Sequence, residues 1–309
     1  MKKFYNLMIC VLLLIMICTT AEAFAKEKIK VVASTLDMAD FAKNIGGQYV
    51  DVYAISTGKV DLHFFEPRPS HVLKLKNADL LIIGGMDLDI WIRSLIDASR
   101  NPKIRFGAPG YVDPSDGIVP LDVPPGRIDP SMGDVHPYGN PHFWFNPDNV
   151  RTAVENICKG LIRIDPDHKA YYLEQKDKYL GEVQTTYKKL MEKMKPYKGT
   201  KVVQFHKSWD YFCNCFGLEV IGELEPKPGI PPTAGHLKEL VKKIHDSGAK
   251  IMLVEPYYPG KPVEFVAANS GIKILRLPNY LGSKEGIDSY LENLQYNVDS
   301  IVKALSEQK

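Results

Sequence analysis

Ile29-Lys30-Val31-Val32-Ala33-Ser34-Thr35 is the stretch of sequence that decides the fold. It is rich in Ile and Val, and helix-like sequence follows it. The same holds for Val50 to Ser56 and for Ala78 to Gly84. Short apolar runs that alternate with helical stretches are typical of βαβ units. We therefore predict a parallel sheet, with Lys103 to Ala108 as the candidate fourth strand.

The same pattern returns after residue 199. It predicts four more strands, at Lys201 to Phe205, Leu218 to Leu224, Lys250 to Glu255 and Ile272 to Leu277. Three pairs of positions correspond at separations of 171, 168 and 171 residues: Val31 with Val202, Val52 with Val220, and Leu80 with Ile251. The predicted fold class is therefore α/β, with two similar (β/α) lobes that each hold a parallel four-stranded sheet.

Two helices are predicted between the lobes. Asp148 to Ile164 is the first. Asp167 to Lys195 is free of proline, and its apolar residues recur at helical spacing, which predicts a second helix of about 28 residues and roughly 42 Å. Asp167 is expected to cap its start, and Pro196 lies just beyond its end. A rod of this length can hold two lobes rigidly from behind.

The first 25 residues predict a cleavable secretory signal. Lys2 and Lys3 precede an uncharged apolar run of 12 residues, Leu7 to Cys18, and small residues follow it. A membrane-spanning helix needs about 20 such residues, so an anchor is the weaker alternative. The expected location is periplasmic.

The composition is that of an ordinary globular protein, with 309 residues, 45% of them hydrophobic and a net charge of +2. Removal of Lys2, Lys3 and Glu22 with the signal leaves +1. A nearly neutral chain has no surface for nucleic acid, and a monomer is expected. Three cysteines remain, Cys158, Cys213 and Cys215, and we interpret them as buried thiols while leaving a disulfide open.

The predicted domains are a signal peptide at 1–25, a lobe at 26–147, connecting helices at 148–197 and a second lobe at 198–309. One segment departs from this regular pattern. Pro109 to Asn140 carries seven prolines and five glycines and shows little periodicity. Irregular stretches of this length are commonly functional.

Three histidines mark the candidate site. His63 follows the second predicted strand, His142 follows the long loop, and His206 comes directly after the strand that ends at Phe205. Ligands of parallel α/β sheets collect at the carboxyl ends of the strands. Three imidazoles that arrive there from distant segments predict a metal site between the lobes, and Zn²⁺ accepts such ligands readily.

The residues around these histidines match a known family. The matching segments are Asp61-Leu62-His63-Phe64-Phe65-Glu66-Pro67-Arg68-Pro69-Ser70, Asn140-Pro141-His142-Phe143-Trp144-Phe145-Asn146-Pro147 and Val254-Glu255-Pro256. They resemble the metal-binding solute-binding proteins of ABC transporters, of the ZnuA and TroA type. The resemblance runs from about residue 28 to the C-terminus.

The resemblance implies a function and a ligand set. Members hold one divalent cation between two lobes that a rigid helix joins, and they deliver it to a membrane permease. Carried over by position, the ligands are His63, His142 and His206. Histidine at the third position resembles the zinc branch, and imidazole nitrogen suits Zn²⁺ better than Mn²⁺. The implied protein is a receptor and not an enzyme.

Two departures from the family pattern leave the fourth ligand open. Asn279 stands where many members have Asp, so Glu255, Asn279 or water is a candidate for that position. Glu255 can equally be a hydrogen-bond partner of a histidine ligand, and so can Glu66. The loop carries only one histidine, His136, whereas the zinc branch often has many. His136 is a minor candidate for contact with the metal.

The remaining histidines, His71, His168, His236 and His245, are expected to be exposed to solvent. Two other functions stay open. Three His ligands and an open position also describe a zinc hydrolase, with Glu255 as the general base. A surface adhesin is the other alternative, because this role is sometimes attached to the family. Metal capture should weaken as pH falls through about 6.5, where imidazole gains a proton.

Overall fold

The first sheet is parallel, as its Val-rich and Ile-rich strands predict. The computed structural model describes residues 27–126, 129, 132–133 and 135–308, so the predicted signal peptide lies outside the described residues. The strands are β1 (Ile29–Ala33), β2 (Val50–Ala54), β3 (Leu80–Ile82) and β4 (Tyr111–Val112), in the order β2-β1-β3-β4. The helices around this sheet are α1 (Leu36–Gly46), α2 (Pro69–Lys76) and α3 (Ile92–Ser99).

The position predicted for the fourth strand is wrong. Residues Pro102–Ile104 form a 3₁₀ turn, and the Asn101 side chain accepts a hydrogen bond from the Lys103 N–H at its start. Ile104 is buried there, but Phe106 is 89% exposed. The strand comes later, where Tyr111 and Val112 pair with β3.

The second sheet repeats the first. Its strands are β5 (Lys201–Gln204), β6 (Glu219–Glu223), β7 (Ile251–Val254) and β8 (Lys273–Arg276), in the order β6-β5-β7-β8. Val31 pairs with Val52 and Leu80, and Val202 pairs with Val220 and Ile251. The positions that were matched by spacing are therefore equivalent in register. The helices of this half are α6 (Asp210–Phe216), α7 (Ala234–Ser247), α8 (Gly260–Ser270) and α9 (Tyr290–Ser306).

Two helices join the sheets, α4 (Pro147–Ile164) and α5 (Lys169–Met194). The second has 26 residues and is about 39 Å long. The expected cap is wrong, because a 3₁₀ turn at Pro166–His168 precedes α5 and its N-cap residue is His168.

The long helix packs against both halves of the molecule. Tyr179 packs on Phe41 of α1, and the Tyr187 ring stacks on Phe216 of α6. One hydrophobic cluster contains residues of both sheets, including Val31 and Val202. The helix therefore lies in a core that is continuous between the lobes. The domain bounds given above stay a prediction.

None of the helices in the described part of the chain is both long and apolar enough to span a lipid bilayer. The three described cysteines are free thiols. Cys158 and Cys213 are buried, as expected, and Cys215 is half-buried.

Candidate metal centre

The three predicted ligands meet at one point between the sheets. One ring nitrogen from each of His63, His142 and His206 lies within 4.8 Å of the other two. Nitrogens bound tetrahedrally to Zn²⁺ at 2.0 to 2.1 Å lie about 3.3 Å apart. A modest approach of the rings would therefore bring all three to bonding distance.

His63 and His142 are positioned by the same local device. At His63, the Asp61 Oδ1 accepts the backbone N–H at 3.0 Å and lies 2.5 Å from Nδ1. At His142, the Asn140 Oδ1 accepts the backbone N–H at 3.0 Å and lies 2.9 Å from Nδ1. An oxygen two residues upstream thus fixes both the backbone and the ring, and it leaves Nε2 for a ligand.

His206 is held from elsewhere in the chain. It follows β5 by two residues, and its Nδ1 lies 2.9 Å from the Glu225 carboxylate, which comes after β6. The residue two positions upstream, Gln204, instead accepts from the Trp209 N–H and donates to Asp210. All three rings therefore have an oxygen partner at Nδ1.

Sequence reasoning missed these three partners. It named Glu66 and Glu255 for this role, but Glu66 is exposed and Asp61 bonds His63. The repeated spacing, an Asp or Asn two residues before His, was the signal that could have identified Asp61 and Asn140. Nothing in the local sequence links Glu225 to His206, because 19 residues separate them.

Glu255 is fully buried at the end of β7 and lies outside the three-histidine group. Its carboxylate oxygens have no hydrogen-bond partner in normal geometry, although the Ser208 hydroxyl is close enough to act on the carboxyl. Burial raises the pKa of Glu255 to about 8, and Ser208 opposes part of that rise. No imidazole is bonded to it.

Asn279 is also fully buried, and both ends of its amide are occupied. The Oδ1 accepts from the Tyr257 hydroxyl at 3.2 Å and Nδ2 donates to the same hydroxyl at 2.9 Å. Its carbonyl oxygen accepts from the Trp144 indole. Asn279 is therefore committed to neighbouring aromatic residues, and the structure does not bring it into the histidine group as described.

His136 lies at the site. Its Nε2 is 2.9 Å from the Nε2 of His63, and the residue is 9% exposed. Burial, followed by the neighbouring His63 and His206, lowers the pKa of His136 to about 3. Burial also lowers the pKa of His142 well below its usual value, with His206 and His63 adding to the effect. Both rings are therefore neutral at pH 7, the form that binds metal.

Hydrogen bonds cross between the lobes beside these rings. The Tyr258 hydroxyl, after β7, donates to Asp61 Oδ2 at 2.8 Å. The Asn140 amide donates to the Lys207 carbonyl at 2.8 Å and to Asp210. Burial opposes ionisation of Asp61, but the hydrogen bond and charge of His63 outweigh it and lower the pKa of that carboxyl below its usual range. The orienting groups therefore also connect the two lobes.

The other histidines differ from expectation in part. His71 is buried, because its ring stacks on Phe65 and its Nδ1 accepts the Arg68 N–H at the start of α2. This helix begins at Pro69, so Ser70 is not its cap. His168 and His236 are half-buried, and His245 is exposed as predicted.

The family model described as "Zinc-uptake complex component A periplasmic" matches residues 31–304. The chain belongs to this family. Its members among curated proteins are metal ABC transporter substrate-binding proteins, so the resemblance seen in the motifs is confirmed at the level of the family.

Relatives within the family are named for different metals. The manganese ABC transporter substrate-binding lipoprotein PsaA of Streptococcus anginosus is 27% identical over 99% of this chain and all of its own length. The iron-binding protein YfeA of Yersinia pestis is 25% identical over 91% of this chain and 88% of its own. A solved structure, a ZnuA deletion mutant with zinc bound, superposes with a TM-score of 0.74 at 25% identity, covering 90% of this chain and 98% of the other.

Proposed function

We propose that this chain captures Zn²⁺ in the periplasm and delivers it to an ABC permease in the cytoplasmic membrane, with His63, His142 and His206 as ligands. The observation that carries the proposal is the convergence of three imidazoles whose Nδ1 atoms each face an oxygen acceptor. An oriented Nε2 of a neutral imidazole is a ready ligand for a transition metal.

Zinc is favoured over manganese by the donor atoms. Imidazole nitrogen is a borderline ligand that suits Zn²⁺, whereas Mn²⁺ prefers carboxylate and carbonyl oxygen. Both oxygen candidates lie apart from the histidine group, because Asn279 is bonded to Tyr257 and Glu255 lies outside the cluster. Family membership supports transport of a divalent metal, and the donor set supports zinc within that range.

Capture joins ligands from both halves of the fold. His206 follows β5 of the second sheet, whereas His63 follows β2 of the first. A bound ion therefore adds bonds between the lobes to those that Tyr258 and Asn140 already make. Since α5 packs on both lobes, we expect small tilts rather than wide opening, and release then requires the permease to disturb the ligand geometry.

The proposed role is binding and not catalysis. A zinc hydrolase needs a general base beside the metal-bound water. The candidate base, Glu255, makes no hydrogen bond to any of the three imidazoles. Absence of hydrolytic activity in the zinc-loaded protein, together with stoichiometric binding, would remove that alternative.

The test is the metal content of protein purified without added metal, combined with competitive titration of His206→Ala. We expect one Zn²⁺ per wild-type chain. Loss of an outer partner alone commonly costs 10 to 100-fold in metal affinity, so loss of a ligand should cost more than about 100-fold. His245→Ala removes an exposed imidazole and is the matched control. Unchanged zinc stoichiometry and affinity in His206→Ala would contradict the assignment.

Transport is tested in the source cells. Deletion of the gene should abolish growth under zinc limitation and leave surface attachment unchanged. Loss of attachment with normal growth would favour the adhesin alternative instead.

A further inference from the structure

The loop before His142 brings a fourth imidazole to the three-histidine group. The Nε2 atoms of His136 and His63 lie 2.9 Å apart, close to the separation of about 3.3 Å for two nitrogens on one tetrahedral zinc ion. Two neutral rings can approach so closely only when one nitrogen carries a proton and the other a lone pair. A cation between them would satisfy both lone pairs at once.

The His136 ring is held from behind, as the rings of the other three histidines are. The backbone of Asp87 accepts a hydrogen bond from it. Asp87 has a φ of 60° and its neighbour Met86 a φ of 50°, so two consecutive residues other than glycine adopt the left-handed conformation. Such backbone costs about 1 kcal/mol or more per residue and persists where the surrounding structure requires it. This strained turn is the element that fixes the His136 ring.

The ring also faces the rest of the site. Its charge would act on His142 and is itself opposed by His206, so it lies within electrostatic reach of all three ligands. A cavity of about 320 Å³ lies beside it. The cavity wall consists of loop residues, the ligands His142 and His206, and the Pro226-Lys227-Pro228 segment of the second lobe. The loop therefore has room to move toward the ion.

We propose that His136 is the fourth ligand of the bound cation and that the site is an all-imidazole site which the loop closes. This inference rests on the proposed function, because it completes the shell of the same ion. The ligand class is a borderline divalent transition metal such as Zn²⁺ or Co²⁺, since four imidazole nitrogens offer no oxygen to Mn²⁺. Neither Glu255 nor Asn279 is then a ligand.

The test compares wild-type protein with His136→Ala and His136→Gln, and His245→Ala is the control. X-ray absorption at the zinc edge should count four imidazoles in the wild type and three in both His136 variants, with oxygen in the fourth place. Zinc affinity should fall about tenfold or more in these variants while one ion per chain is still bound. Affinity for Mn²⁺ should fall less, so the ratio of zinc to manganese affinity should fall as well.

The outcomes separate this inference from the proposed function. Three imidazoles in the wild type, or zinc affinity unchanged in both His136 variants, would overturn the fourth-ligand assignment and leave the receptor standing. Failure of the wild type to bind one ion per chain would overturn the receptor itself. Thermal unfolding of the metal-free proteins should be the same for all variants, because His136 lies in a loop and contributes no helix or strand contact.

Discussion

At the scale of single residues, the site depends on oxygen atoms as much as on nitrogens. Asp61, Asn140 and Glu225 each face the Nδ1 of one histidine. An acceptor at Nδ1 fixes the proton there and directs the lone pair of Nε2 to the metal. The ionised partner strengthens the ligand further, because a carboxylate stabilises the positive charge that the ring gains on binding. The three rings are therefore set for metal before any ion arrives.

Asp61→Asn tests this orienting role. The amide keeps an oxygen that can accept the backbone N–H of His63, but it carries no charge and weakens the bond at Nδ1. We expect zinc affinity to fall 10 to 100-fold with stoichiometry retained, as measured by competitive titration. Asp246→Asn changes an exposed Asp on α7 and should leave affinity unchanged. Equal affinities in the two variants would show that the Asp61 carboxylate has no influence on the ligand.

The ligands themselves were predictable and their partners were not. His63, His142 and His206 each follow a recognisable motif or strand end, and the structure brings them together. Asp61 and Asn140 lie beside the ligands, but a carboxylate or amide two residues away is common in turns and indicates nothing alone. Glu225 meets His206 only because β5 and β6 are neighbours in the sheet. Partners set by tertiary structure leave no local signal.

At the scale of elements, strands with a repeated apolar pattern were predicted well and β4 was not. Lys103-Ile104-Arg105-Phe106 alternates polar and apolar residues, which predicts a strand. Pro102 instead starts a 3₁₀ turn, and the two residues of β4 are too few to show any periodicity. The equal register of the two sheets was predictable, because apolar runs of four or five residues recur at near-constant spacing.

Helix α4 connects the site to the long helix, and its start is capped by Asn146. The Asn146 Oδ1 accepts from the N–H groups of Asp148 and Asn149. Asn146→Ala should lower the free energy of unfolding by about 1 kcal/mol, as measured by urea denaturation of the metal-free protein. Asn44→Ala removes an exposed helical Asn that bonds only its own helix, and it should cost less. A larger loss for Asn44→Ala would refute the capping role.

At the scale of the whole molecule, the lobes approach each other at a second place. Gly58, with a φ of 71°, lies so near the Leu281 carbonyl that a Cβ would come within 2.2 Å of it. Gly282 meets the Thr57 carbonyl in the same way at 2.4 Å. The Leu281 N–H donates to both oxygens of Asp37, at 3.3 and 3.2 Å, on α1 of the first lobe. Backbone contact on this side restricts the lobes to small movements.

Asp37 makes this junction sensitive to pH. Burial raises its pKa to about 7 from the usual 3.8, and the Leu281 N–H opposes part of the rise. Because the folded pKa is above the unfolded one, the native state binds the extra proton. Stability is therefore lost as pH rises from about 4 to about 7, and it stays lower above that range. A shift of about three pKa units corresponds to about 4 kcal/mol as an order of magnitude.

Asp37→Asn removes this ionisation while the Asn oxygen can still accept the Leu281 N–H. Above pH 7 the variant should be more stable than the wild type, and the difference should shrink steadily as pH is lowered to 5. Urea unfolding of metal-free protein from pH 5 to 8 measures this, since bound metal would add its own pH dependence. Asp97→Asn, an exposed change on α3, should follow the wild type at every pH. Parallel curves for Asp37→Asn and the wild type would mean that the Asp37 carboxyl is ionised in the fold and that the junction tolerates its charge.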